Sequence, residues 1–238
     1  MIFCVEVHGR KIQVQVTPKK MKNVRLRVFP EGTIKLSVPE GTPDTWVMEF
    51  LLDKRNWIEE KANLFQQTKS IEKEEHIHSG SSTRILGKQM IVQVVKANQK
   101  KIIYEDNKLF LYTIDPAMQL DIDKQFSNWW QKSAKSYFAE VLEKLFPIVG
   151  KHGVEKPEIM VKKMKTLWGS CSRKHGKINL NFYLFKASRP CIEYVILHEL
   201  AHLLYPKHDR NFYDFITIHM PDWQERKKQL DYEIVLGI

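Results

Sequence analysis

The residues of this chain whose types and spacing could do chemistry together are His198, Glu199, His202 and His208. His198 and His202 stand four apart, so on a helix they lie one turn apart on the same face and can share a metal ion. Pro206 lacks an N–H and clashes with the preceding turn, so the spacing predicts that it ends that helix and that His208 follows a bend. Asp209 is a good N-cap for a new helix with Phe212, Phe215 and Ile216 on its apolar side. His208 is therefore expected at a helix–helix corner, facing back toward the other two. Three neutral imidazoles suit zinc and leave its fourth position for water, which is the catalytic arrangement rather than the structural one. Zinc would bring the pKa of that water to about 7, and Glu199 would take its proton and later deliver it to a leaving group.

The element that must position these groups runs through residues 190–208. Pro190 can stand in the first turn of a helix, where its missing N–H costs nothing. Ile192, Ile196, Leu200 and Leu203 recur at helical spacing and form one apolar stripe. The reading is a helix that packs on a core with one side and offers His198 and His202 on the other. Cys191 lies seven residues before His198, about 10 Å along the axis at 1.5 Å per residue, too far to share the ion. Cys171 and Cys191 are both expected to be small structural residues. His76 and His78 form a His-x-His pair with no third partner near in sequence and are expected to be incidental. Tyr205, Tyr213 and His219 are candidates for helping to stabilise an oxyanion.

Several stretches together resemble a known family. These are Trp168-Gly169-Ser170-Cys171-Ser172, Ile178-Asn179-Leu180-Asn181, and Tyr194 to Leu203 with His208. The combination is similar to the YgjP-like family of zinc metallopeptidases, distant relatives of the SprT-like metalloproteases. The resemblance covers mainly residues 157–232. It implies a zincin-like site in which His198, His202 and His208 hold Zn2+ and Glu199 is the catalytic acid/base.

The rest of the chain predicts an α+β fold. Residues 2–8 and 11–17 alternate around a hairpin turn, and so do 23–29 and 33–38, giving an expected four-stranded antiparallel sheet with one wet face. Thr42-Pro43-Asp44 opens an expected helix at about 43–66, with Trp46, Phe50, Trp57, Ile58 and Leu64 as its apolar positions. Residues 66–84 read as a connection. Strands are expected at about 83–86, 89–97, 101–105 and 108–113. A helix follows from about 120 to 147, closed by Pro147 and Gly150, with Phe126, Trp130, Ala134, Tyr137, Val141 and Leu145 at 3–4 spacing. Strands at 157–163 and 177–185 flank a tight turn at Trp168–Ser172 and make a small sheet beside the histidines. Strand 177–185 is the candidate edge for holding an extended peptide. A last helix starts near Pro221-Asp222, with Trp223 and Leu230 packed down and Glu225-Arg226-Lys227-Lys228 facing solvent. The expected division is a β-rich antiparallel N-terminal region, 1–115, and a helical metallopeptidase-like domain with a small sheet, 116–238.

Composition bounds the function. No apolar run approaches the roughly 18 residues of a membrane span. Three scattered cysteines make no disulfide framework, and no secretory signal is legible, so a cytoplasmic location is expected. The net charge of +10 points to an acidic partner, admitting nucleic acid or nucleotides. The reading is a zinc-dependent hydrolase, foremost a peptidase acting on peptide or protein. A hydrolase of nucleotides or other non-peptide bonds is the alternative, without a Gly-rich phosphate loop to support it. A nucleic-acid-associated binding protein is the third reading.

Overall fold

In the computed structural model the chain is described over residues 1–7, 10–29, 32–59, 62, 76–164 and 167–235. Two compact units are present, one within residues 1–73 and the other within residues 74–233. The architecture is α+β, as expected.

The first unit is a sheet with a helical cover. Strands β1 (Ile2–Val7) and β2 (Arg10–Lys19) form one hairpin, and β3 (Arg25–Val28) and β4 (Ile34–Pro39) form another. The sheet order is β1-β2-β4-β3. The sheet is not wholly antiparallel, because β2 and β4 run parallel at its centre. Alternation locates each hairpin but does not say which strands lie side by side. Helix α1 runs Asp44–Asp53, turns at Lys54, and the chain is helical again over 55–59. Residues 60–61 and 63–66 of the expected helix, Leu64 included, lie outside the described residues. Val47, Leu51 and Ile58 close the core over Val14, Val16, Ile34, Leu36 and Val38. Trp46 and Trp57, expected to be buried there, are 38% and 40% exposed. The β-branched and aliphatic residues take the helix side that meets the pleated sheet.

The second unit repeats that topology. Strands β5 (Ser82–Ile85), β6 (Lys88–Lys96), β7 (Lys101–Glu105) and β8 (Lys108–Thr113) are ordered β5-β6-β8-β7, again with antiparallel hairpins and a parallel central pair. A helix follows β8 as one follows β4. Helix α2 (Gln119–Gly150) passes through Pro147 instead of ending there. The proline loses one hydrogen bond, but Val149 beyond it is fully buried and keeps the last turn on the core. Trp130 anchors α2 by donating Nε1–H to the Phe182 carbonyl at 2.9 Å, among the rings of Phe182 and Phe185.

A third sheet, ordered β10-β11-β9, consists of β9 (Glu158–Lys162), β10 (Gly169–Ser172) and β11 (Lys177–Asn181). Two expectations change here. The stretch Gly169–Ser172 is a strand rather than a tight turn. Residues 177–185 are strand only to Asn181, and Phe182–Lys186 is a 3-10 turn. The strand β11 is central, parallel to β9 and antiparallel to β10, so it is not the edge expected for a peptide. The edge beside the later helices is β10. Helices α3 (Arg189–Ala201), α4 (Arg210–His219) and α5 (Trp223–Val235) complete the unit. Among the described residues no helix is long and apolar enough to cross a membrane.

Candidate metal centre

Helix α3 is a core element rather than a surface helix. Cys191, Ile192, Tyr194 to Leu197 and Glu199 to Ala201 are all buried, so both its stripe and most of its opposite side are covered. Its start is held from three directions. The β5–β6 hairpin turn, Leu86-Gly87, has positive φ at both residues, and its N–H groups donate to the Phe185 and Lys186 carbonyls. A Cβ on Gly87 would lie 3.0 Å from the Cα of Ser188, so only glycine lets the turn approach this closely. Glu233 of α5 accepts the Ser188 N–H at 2.9 Å, placing a carboxylate at the positive end of α3. Arg226, expected to face solvent, instead bonds Glu193 at 2.6 Å and Asp222 at 2.9 Å and ties α5 to α3.

The helix ends at Ala201, with His202 as its C-cap, before Pro206 is reached. The N–H groups of Leu203 and Leu204 bond the carbonyls of Leu200 and Ala201 and tighten the chain into a turn. Asp209 then caps α4, accepting the Phe212 N–H at 3.2 Å, as its position predicts. The corner brings His208 back onto α3. Ligand-capable atoms of His198, His202 and His208 all lie within 4.8 Å of one another. The Nε2 atoms of His198 and His208 are 2.9 Å apart. The Phe212 ring lies 4.7–4.9 Å from all three imidazole rings and forms the floor beneath them.

The tautomers suit a cation. His202 Nδ1–H donates to the Tyr205 carbonyl at 3.0 Å, which leaves Nε2 with its lone pair free. Burial, then the charges of His202, His208 and Lys227, pull His198 down to about 3. Burial and the same kind of neighbours also lower His208. Both rings are therefore neutral near pH 7, as metal ligands must be.

Glu199 is 6% exposed, and burial pushes its carboxyl up to about 8. Its Oε2 is buried with no hydrogen-bond partner among the described residues. A dication beside this carboxyl would favour its anion and reverse that shift. The donor set thus fits a divalent metal: three convergent imidazoles and a buried acid that lacks a counter-charge among the described residues. Gly169 on β10 makes the room, since a Cβ there would fall 2.6 Å from Glu199 Cγ and Oε1.

Sequence reasoning passed over Gly169 as a turn residue, although a glycine within a strand signals close approach. It also passed over Asn181, which is 5% exposed. The Asn181 side chain donates to the Met164 and Leu167 carbonyls and accepts the N–H groups of Met164 and Tyr183, pinning the loop that leads into β10.

Cys171 lies on β10 and Cys191 is buried at the start of α3, and neither joins the histidine cluster. His76 bonds Asp123 at 2.7 Å and has no part in the cluster either. Of the three oxyanion candidates, Tyr213 has its ring 6.2 Å from that of His208. Tyr205 and His219 pack against Phe215.

The edge of β10 has a defined polarity. The Asn181 N–H donates to the Trp168 carbonyl at 2.9 Å. With Gly169 opposite Leu180 and Cys171 opposite Ile178, the hydrogen-bonded pairs are Trp168/Asn181, Ser170/Asn179 and Ser172/Lys177. The N–H and C=O groups of Gly169 and Cys171 therefore point to the free edge, beside Glu199.

Residues 22–233 match the YgjP-like metallopeptidase domain, and the chain belongs to that family. It is thereby a hydrolase of the metal-dependent peptidase class. Among solved structures the chain is similar to the crystal structure of the metallopeptidase zymogen of Pyrococcus abyssi abylysin. The identity is 21% and the TM-score 0.37, over 40% of this chain and 93% of that one. No curated protein matches the sequence.

Proposed function

We propose that this metallopeptidase is a zinc enzyme in which His198, His202 and His208 hold the ion and Glu199 is the general acid/base. The observation that supports this most directly is the convergence of three imidazoles within 4.8 Å of one another, with the residue after His198 in the same helix carrying a buried carboxyl unpartnered among the described residues. A bound zinc would supply Lewis-acid polarisation of a carbonyl and lower the pKa of a water to about 7.

The chain's own residues do the rest. Gly169 and Cys171 offer main-chain N–H and C=O groups to an extended peptide, the strand-addition mode, on β10 rather than β11. Glu199 accepts a proton from the attacking water as oxygen bonds to the carbonyl carbon. It gives that proton to the amide nitrogen as the C–N bond breaks, so the carboxylate is restored and no co-reactant is consumed. The His202–Tyr205 hydrogen bond keeps one imidazole in the tautomer that presents Nε2. In this reading residues 116–238 carry the chemistry, and the β-rich region 1–115 contributes to docking substrate.

Two measurements test it. Metal analysis of the purified chain should give about one zinc per chain, lost in His202→Ala. Peptide cleavage should fall by about 10²–10⁴-fold in Glu199→Gln with zinc retained. Wild-type protein that takes up no zinc from added salt overturns the reading.

A further inference from the structure

The sheet within residues 1–73 has one dry face and one wet face, and the wet face is basic. The dry face is fixed by Val14, Val16, Ile34, Leu36 and Val38, buried under α1. Side chains alternate along a strand, so Gln15 and Thr17 of β2, Lys35 and Ser37 of β4, and Arg25 and Arg27 of β3 share the other face. The register sets them in rows. Lys35 lies between Gln15 and Arg27, and Ser37 lies between Thr17 and Arg25. Two residues apart on one strand, Arg25 and Arg27 are separated by about 7 Å. Lys19, Lys20 and Lys22, all exposed, follow at the end of β2 and in the loop to β3. Between Glu6 and Glu31 the sequence has no acidic residue.

The acidic groups of this unit stand elsewhere. Asp44, Glu49 and Asp53 are on α1 and Glu59 follows it, on the covered side of the sheet. Glu40 lines a hollow with Val24, Pro43 and Trp46, also on the α1 side. Glu6 is on the wet face, but on β1 and opposite Lys11, two strands and two rows from Lys35. Glu31, Glu60 and Glu72 lie outside the described residues. Among the described residues Arg25, Arg27 and Lys35 form no ion pair. Arg27 and Lys35 are like charges directly opposite each other, an arrangement that costs stability until an anion lies over it. Between the cations stand Gln15, Thr17 and Ser37, whose side chains can hydrogen-bond phosphate and sugar oxygens. The Phe29 ring lies under the Lys35 ammonium, 5.4 Å from it, and so offers no free platform for stacking a base. The central rows hold no apolar side chain to sink into a bilayer; Ile2, exposed on β1, is at their margin.

We propose that the wet face of β2, β4 and β3 binds the phosphate backbone of duplex nucleic acid, without reading base sequence. Arg25, Arg27 and Lys35 neutralise phosphates, and the lysines after β2 extend the contact. The inference goes beyond the peptidase reading and does not depend on it.

The test is fluorescence anisotropy of a labelled DNA duplex of about 20 base pairs, titrated with the full chain over a range of salt. The slope of log K against log salt should be about −3, close to one for each of Arg25, Arg27 and Lys35. Arg27→Gln combined with Lys35→Gln should flatten that slope by about two and weaken binding about 10- to 100-fold at about 50 mM salt. The same double variant should melt no lower than the wild type, since a like-charge pair is relieved. Lys54→Gln combined with Arg55→Gln removes two charges on the α1 side and should leave the slope unchanged. Duplexes of unrelated sequence should bind alike. No binding at low salt, or an equal loss in both double variants, overturns the proposal. So does tighter binding of a single strand of the same length. Binding to phosphatidylserine vesicles that outlasts DNA binding as salt is raised also overturns it, and assigns the face to a membrane surface.

Discussion

Glu199 and Gly169 form one unit at the scale of single residues. A carboxyl with Oε2 buried and unpartnered is costly, and the chain keeps it against an edge strand that has no side chain at the point of contact. Gly169→Ala should therefore displace the carboxyl without touching a histidine. The expected outcome is peptide cleavage down by about 100-fold, the scale of a 1 Å misplacement, with zinc still bound stoichiometrically. Loss of both together would mean that Gly169 supports the whole corner and not Glu199 alone. Metal analysis beside kinetics reads the difference.

Elements hold the site by their ends. The β5–β6 turn and the Glu233 carboxylate converge on the start of α3, and the Arg226–Glu193 pair holds its second turn, about one and a half turns before His198. The start of α2 is held in a comparable way. Asp123 accepts from His76 Nδ1, the Ile77 N–H and Gln119 Nε2. Burial opposes ionisation there, but these hydrogen bonds outweigh it and hold the carboxyl below its ordinary 3.8. A lowered folded-state pKa means that the unfolded chain binds more protons as the solution is acidified. The clasp's contribution is therefore complete above the unfolded value, near pH 4, and lost as pH falls through the lower folded value. Exchange of the Ile77 amide, corrected for its intrinsic rate, should be protected at pH 5 and lose protection as the pH is taken below 3.8. Asp123→Asn should remove that pH dependence while leaving the β5–β8 amides protected.

At the scale of the whole molecule the two compact units share one topology, a pair of hairpins with parallel inner strands followed by a helix. Only the unit within residues 74–233 adds the third sheet and the histidine corner. Zinc that binds the folded site and not the unfolded chain stabilises by about 4 kcal/mol at a thousand times its Kd. Calorimetry should show zinc raising the transition of that unit and leaving the transition of residues 1–73 where it was. His202→Ala should abolish the shift. A zinc-induced rise of both transitions in the His202→Ala variant would place the metal elsewhere.

Local pattern alone was sufficient for much of this. Strands β5 to β8 fall where alternation and turn residues put them, because a half-buried strand must alternate. The i, i+4 histidines, the Asp209 cap and the return of His208 were legible because a helix turn and a cap are short-range effects, although the helix ends at Ala201 and not at Pro206. Tertiary structure decided the rest. Alternation is the same for a central and an edge strand, so the central place of β11 and the edge strand at Gly169–Ser172, read as a turn, were invisible in the chain. Pro147 stays inside α2 because Val149 is buried beyond it, and helix breaking is weighed against packing that no local rule contains. Trp46 and Trp57 face outward because the sheet beneath α1 takes its aliphatic residues. Gly169 became meaningful only once Glu199, thirty residues later, was folded against it, since a distance between two elements is set by how they pack and not by either sequence.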